Sequence, residues 1–253
     1  MFAVISPAKK LDFTQPVRGR VTQPRLLDQT EALLEETRRL SPADLTKLMK
    51  ISDQLAELNY GRFQSFELPF HEENAKQAIF AFSGDTYVGF DAKTLADDEL
   101  DYAQEHVGIL SGLYGLLRPR DLMQPYRLEM GTRLANPRGK DLYAFWGGRI
   151  TSAINEALAA QADPTVINLA SNEYFKSVKK QELNGDVVTP VFKELKDGKA
   201  KVIGLMAKRA RGMMARYIVE KRIENPKALK KFTRGGYRYK ASESTDTEWV
   251  FMR

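Results

Sequence analysis

The chain has no cysteine. That excludes a disulfide framework, thiolate metal sites and a cysteine nucleophile, and it fits a reducing compartment. Histidine is nearly as scarce: there are 2, at His71 and His106, and no HExxH pair stands on a helix. No apolar run approaches the length of a bilayer span, and the apolar start MFAVIS meets Pro7 before it reaches the length of a signal-peptide core. The sequence lacks internal repeats, low-complexity tracts and Gly/Ser linkers. A chain of 253 residues can therefore form one domain and bury most of its apolar surface without a covalent staple. GxSxG, the P-loop and GxGxxG are missing too, so no catalytic residue is nominated. These absences lead us to expect a cytoplasmic, single-domain protein with no membrane association, no cofactor and no metal.

Charge is present in excess and unevenly placed. The net charge is +6 and the sequence pI is near 9.3, yet residues 193–240 hold sixteen Lys and Arg against Glu194, Asp197, Glu220 and Glu224. That local excess of twelve positive charges leaves the remainder of the chain net acidic. Such asymmetry is the sequence footprint of a polyanion-binding face, with a solvated lysine-rich surface as the plainer alternative.

Apolar patterning indicates an α/β (mixed α+β) fold. Residues 2–6, 78–82 and 165–169 read as short apolar strands, the last leading to a helix N-cap at Ser171. Residues 187–195 and 199–205 flank Asp197-Gly198, a two-residue hairpin signal, and residues 236–240 and 249–252 read as a further strand pair. The sheet is thus expected to be mixed, with antiparallel additions from the C-terminal third. Helical periods cover residues 24–40, 42–63, 74–78, 97–110, 143–160 and 206–222. In the last, apolar or small residues at 206, 210, 213, 214, 217 and 218 form one stripe. Lys208, Arg209, Arg211, Arg216, Lys221 and Arg222 fall mostly off it. Gly212 costs roughly 1 kcal/mol relative to Ala in a helix, which implies close approach of another backbone or a phosphate, or else a kink.

Five other stretches could carry chemistry. Lys9 and Lys10 follow the first strand, where open sheets present ligand crevices; a solvated loop is the alternative. Residues 110–131 concentrate Gly, Arg and Tyr without a period, which suits a binding loop or a tightly packed crossover. There Arg127 can pair with Glu129 or meet a phosphate. Asp85 and Glu173 are polar residues at strand ends. The acids Asp97, Asp98, Glu99, Asp101 and Glu105 precede His106, but a Glu-x-x-His iron pattern would need Glu where Ala103 stands, and the helix dipole accounts for acids in a first turn.

The stretch LSPADLTKLMKISDQLAELNYGRF contains two helical patterns separated by almost nothing. Ser41 can cap a helix with Pro42 first and Asp44 third, and Ser52 can cap the next. This layout looks like a helix-hairpin-helix over residues 41–63, a unit that binds DNA without sequence specificity through backbone N–H groups and nearby lysines. Lys50-Ile51-Ser52-Asp53 keeps the central hydrophobe of such hairpins but neither glycine, so a plain helical hairpin remains the alternative.

SPAKKLDF, ISDQLAELN, FSGDTYVGF, LSGLYGLLRPRDLMQPYRLEMGTRL, GKDLYAFWG, VINLASNEYFKSV and KRARGMMARYI, in this order over nearly the full length, resemble the bacterial peroxide stress protein YaaA family. The resemblance implies an oxidative-stress protein that limits damage from peroxide and intracellular iron. It also implies a positively charged cleft and a helix-hairpin-helix associated with DNA binding. On this chain the DNA contacts would be Lys47, Lys50 and Ser52, with Arg62, Lys9, Lys10, Lys208, Arg209, Arg211 and Arg216 as further candidates. The partner would be double-stranded or distorted DNA held by its phosphates, the protein acting as a monomer. The alternative is an enzyme acting on a nucleotide or other phosphorylated small molecule in the same cleft.

Overall fold

A computed structural model describes residues 1–14, 16–196 and 199–253. Its centre is β1 (Phe2–Ile5), whose four residues are all buried. A strand covered on both faces must be apolar throughout, as FAVI is. β1 pairs in parallel with β2 (Val107–Ser111) on one side and β4 (Val166–Leu169) on the other. β3 (Gly115–Leu117) adds antiparallel to β2. β5 (Val187–Lys196) follows β4 in parallel and carries antiparallel β6 (Lys199–Lys201). β8 (Glu248–Met252) joins β5 in parallel, and β7 (Arg238–Tyr239) closes that edge antiparallel to β8. The sheet order is β7-β8-β5-β4-β1-β2-β3, an eight-stranded mixed sheet counting β6. This is the expected α/β single-domain fold with its antiparallel C-terminal additions. Asp197-Gly198 lies outside the described residues.

The helices are α1 (Leu27–Arg38), α2 (Pro42–Met49), α3 (Asp53–Gln64), α4 (Asp85–Phe90), α5 (Asp97–His106), α6 (Arg149–Ala159) and α7 (Gly204–Glu220), with short helical turns between them. Several expectations need correction. Residues 78–82 do not form one strand: Ala78–Ala81 is a helical turn before the short strand Phe82–Ser83. All four residues of that turn are buried, and a short, wholly buried apolar run has no period to betray its conformation. Of residues 74–78 only Ala78 is helical, because Lys76–Gln77 pairs with Leu122–Met123 before the turn begins. The helix expected over 97–110 ends at His106, and Val107 turns extended to begin β2. The helix expected over 143–160 is broken at Gly147, whose φ of 53° and ψ of −123° lie outside helical space.

α7 packs against α4 at a glycine crossing. A Cβ on Gly212 would stand 1.8 Å from the Thr86 carbonyl oxygen, and one on Gly89 would stand 2.1 Å from the Arg209 carbonyl oxygen. The two backbones therefore touch, which selects close approach among the readings of Gly212. The buried face of α7 includes Ala207, Ala210, Met214, Ala215 and Ile218, about one position round from the expected stripe. Met206, Met213 and Tyr217 are only half-buried.

Candidate functional site: two adjoining depressions

β1 and β4 stay paired to their C-terminal ends, Ile5 beside Leu169, but the chain leaves them in opposite directions. The chain leaves β1 for β2 on one side, and leaves β4 for β5 on the other. In an open sheet this switch in direction opens a crevice above the strand ends. Here a cavity of about 450 Å³ occupies it, lined by Ser6 to Lys10 after β1, by Ser171 and Glu173 after β4, and by Asp85, Tyr126, Arg127, Glu129, Lys208 and Arg211. The size lies within the range of small-molecule pockets.

The floor is aromatic and hydrogen-bonded. The Tyr87 hydroxyl donates to the Ser6 carbonyl at 3.1 Å, and the Tyr126 hydroxyl shares a hydrogen bond of 2.6 Å with Ser111 Oγ. Burial pushes both phenols, and that of Tyr174, above the usual tyrosine range, so all three stay neutral. Ser171 occupies the N-cap position of the Asn172–Phe175 turn, yet its side chain caps nothing. Its N–H instead donates to Ser6 Oγ at 2.9 Å and ties the two strand ends together.

Charges in the cavity fall into two groups. Glu129 is shared by Lys9 Nζ at 2.8 Å and Arg127 Nη2 at 3.1 Å, so of the two partners open to Arg127 it meets Glu129 here. Arg127 Nε is buried without an acceptor. The second group is unpaired: among the described residues, no carboxylate lies within 4 Å of Lys10, Lys208 or Arg211, and no cation lies within that distance of Asp85 or Glu173. Glu173 Oε1 accepts only the Gly131 N–H, at 2.9 Å. Burial lowers the pKa of the Arg211 guanidinium.

A second, more open groove of about 640 Å³ adjoins the first. Lys47, Leu48, Met49 and Lys50 line one side, Gly131, Thr132 and Arg133 the other, and Glu129 and Glu173 belong to both depressions. The α2–α3 hairpin builds this groove from its capping chemistry. Ser41 Oγ accepts the Asp44 N–H while the Asp44 carboxylate accepts the Ser41 N–H, a reciprocal box. Hydrogen bonds from Ser41 also hold the Asp44 carboxyl below the usual carboxylate range. α2 ends at Lys50 in the left-handed conformation (φ 53°). Ile51 is buried beneath the turn, and Thr46 Oγ1 donates to Asp53 Oδ1 across it. Lys50 thus adopts the backbone usually left to glycine.

The remaining candidates lie elsewhere or are already engaged. Ser52 Oγ accepts the Leu55 N–H as the α3 cap. Arg62 donates to Asn59 Oδ1 and lines neither depression. Arg209 is exposed and lines neither. Arg216 is held by Glu220 and by the Phe90 and Asp91 carbonyls. Asp85 and Glu173, the polar residues at strand ends, and Arg127 of the 110–131 segment line this one cavity together; residue patterns left unseen only that Tyr126 joins them and that Lys9, Lys10, Lys208 and Arg211 share the same walls. The acids of α5 are accounted for structurally. Glu99 caps its own helix, Asp98 pairs with Arg222, and Asp101 pairs with Arg20 and the buried Arg120. Among the described residues, no three His, Asp or Glu side chains converge as a metal-ligand set, and no helix is long and apolar enough to cross a membrane.

Comparison with known proteins agrees along the whole chain. A sequence model of the family described as peroxide stress protein YaaA matches residues 1–243. A UPF0246 protein of Alteromonas mediterranea is 58% identical over 255 residues, covering 100% of this chain and 98% of the relative. The chain belongs to the peroxide stress protein YaaA family.

Proposed function

We propose that this peroxide stress protein acts in the cytoplasm by binding double-stranded or distorted DNA without strong sequence specificity, and that this binding helps limit iron- and peroxide-mediated damage. The observation that carries the reading is the shared wall. Lys47 and Lys50 line one depression, Lys9, Lys10, Lys208 and Arg211 line the next, and both include Glu129 and Glu173. Cations from three distant stretches of chain therefore stand along one connected surface, which we read as the positively charged cleft. Glu129, already matched by Lys9 and Arg127, opposes a phosphate track less than a free carboxylate would. In this reading the α2–α3 hairpin serves as the helix-hairpin-helix, with its lysines rather than glycine-exposed amides meeting the backbone.

Fluorescence anisotropy of a labelled duplex across a salt series tests it. The expected result is binding in roughly the micromolar range or tighter, with a log–log slope of about −0.9 per phosphate neutralised. Replacing Lys208 and Arg211 by Ala weakens all sequences about equally. Binding that ignores salt sinks the reading, and stoichiometric iron in purified protein would redirect the damage-limiting role to iron storage.

A further inference from the structure

We infer that the cavity at the ends of β1 and β4 is a binding site for a single nucleotide unit, its phosphate held by Lys10, Lys208 and Arg211 and its base and sugar donors met by Asp85 and Glu173. The inference starts from charge that the fold leaves uncompensated. A half-enclosed cavity holds cations and carboxylates of the second group, yet among the described residues none is within 4 Å of an opposite charge. Neighbouring opposite charges left separate in one cavity suit a ligand with an anionic end and a hydrogen-bond-donating end.

A nucleotide has that polarity. Its phosphate is an acceptor for guanidinium and ammonium groups. Its base amines and sugar hydroxyls are donors, for which ionised carboxylates act only as acceptors. Lys208 and Arg211 are three residues apart on α7 and so share a face, while Asp85 starts α4, the helix pressed against α7 at the Gly89–Gly212 crossing. Phosphate-directed and base-directed walls are thereby fixed relative to each other by backbone contact. The neutral Tyr87, Tyr126 and Tyr174 supply the apolar floor on which a base can lie. A bound phosphate would also offset the burial that lowers the Arg211 pKa. The position above adjacent parallel strands whose connections run in opposite directions is where open α/β sheets hold their ligands.

The same unit can come free from solution or from a strand lying in the hairpin groove, since the two depressions share Glu129 and Glu173. Isothermal titration with deoxynucleoside 5′-monophosphates, with inorganic phosphate and deoxyadenosine as controls, tests the free source. One saturable site per chain is expected, with both controls weaker. Asp85→Asn and Arg211→Lys each weaken the monophosphate roughly tenfold or more, as loss of a charge-assisted hydrogen bond does; circular dichroism checks that both variants fold. A duplex carrying 2-aminopurine opposite a mismatch tests the strand source, where entry of the base into the cavity changes its fluorescence in wild type and less in Asp85→Asn. Either positive result supports the site and names its source. No saturable monophosphate binding together with unchanged 2-aminopurine fluorescence overturns it, as do folded variants that behave like wild type. Monophosphate binding without duplex binding overturns the DNA reading alone, and duplex binding with neither nucleotide signal overturns this one alone.

Discussion

The two depressions share a pair of glutamates but differ in how the chain makes them. The cavity is assembled from loops after β1 and β4, from α4 and from α7, with lining residues from Ser6 to Arg211. Its walls are set by backbone contact, with Gly212 against Thr86 and Gly89 against Arg209. The hairpin side of the groove is local: one stretch of 24 residues, from Ser41 to Gln64, capped at Ser41 and Ser52 and pinned by buried Ile51. Charge follows the same division. On α7 the arginines have separate fates: Arg216 is locked by Glu220 and two carbonyls, while Arg211 is half-buried and unpaired in the cavity. On the hairpin, Lys47 and Lys50 owe their place only to exposure and a left-handed turn. A site assembled from afar depends on close packing, whereas a local one depends on caps and turns.

Glycine substitutions break this contrast most sharply. Gly212→Ala places a methyl into the Thr86 carbonyl, so α4 must leave α7; a loss of about 3 kcal/mol is expected from urea unfolding. A loss below about 0.5 kcal/mol would mean the crossing is adaptable and the cavity wall is not fixed by it. Next come the hairpin lysines. Lys47→Ala with Lys50→Ala should flatten the salt dependence of duplex binding by roughly 0.9 for each phosphate that is no longer neutralised. If Lys10→Ala with Lys208→Ala flattens it equally, the backbone track runs through both depressions; if not, the cavity mouth stands apart.

Smaller effects probe the caps. Ser41→Ala should cost about 1 kcal/mol in thermal or urea unfolding. Its pH dependence has a defined sign. The Ser41 bonds depress the Asp44 pKa in the folded state below its ordinary value of 3.8, so their stabilisation is full above that pH and is lost as acid protonates Asp44. The gap between wild type and Ser41→Ala therefore narrows below pH 3.8; a gap that widens there would contradict the box. Smallest is Gly61→Ala on α3, where a Cβ meets nothing within 4 Å. Removing a helical glycine there should raise stability by about 0.5 kcal/mol or slightly more, the opposite sign to Gly212→Ala.

Legibility in the sequence tracked how local the deciding interaction is. The Ser41-Pro42-x-Asp44 box and the Ser52 cap could be read from residue types, because their partners stand within three positions. The mixed sheet was legible as well, since β1, β4 and β5 carry unmistakable apolar runs or alternation. The turn at Ala78–Ala81 and the switch from α5 to β2 at Val107 were not, because a buried apolar run suits helix and strand alike. Within residues 110–131, Arg127 had two eligible partners by chemistry; it meets Glu129, and Lys9 from far along the chain meets the same carboxylate, a convergence with no local signature.

The sequence by itself determined the caps, the strands, the concentration of cations in residues 193–240 and the motifs by which the family is known. Each is a property of neighbouring residues or of composition, where geometry within a few bonds or simple counting suffices. Only the tertiary structure decided which cations are left without partners. Arg211 and Arg216 stand five positions apart on one helix, yet one faces a cavity and the other faces Glu220 and the end of α4. That difference arises because sheet topology sends the chain in opposite directions after β1 and β4, and because two glycines let α4 and α7 come into contact. A carboxylate's distance from a cation a hundred residues away has no local signature.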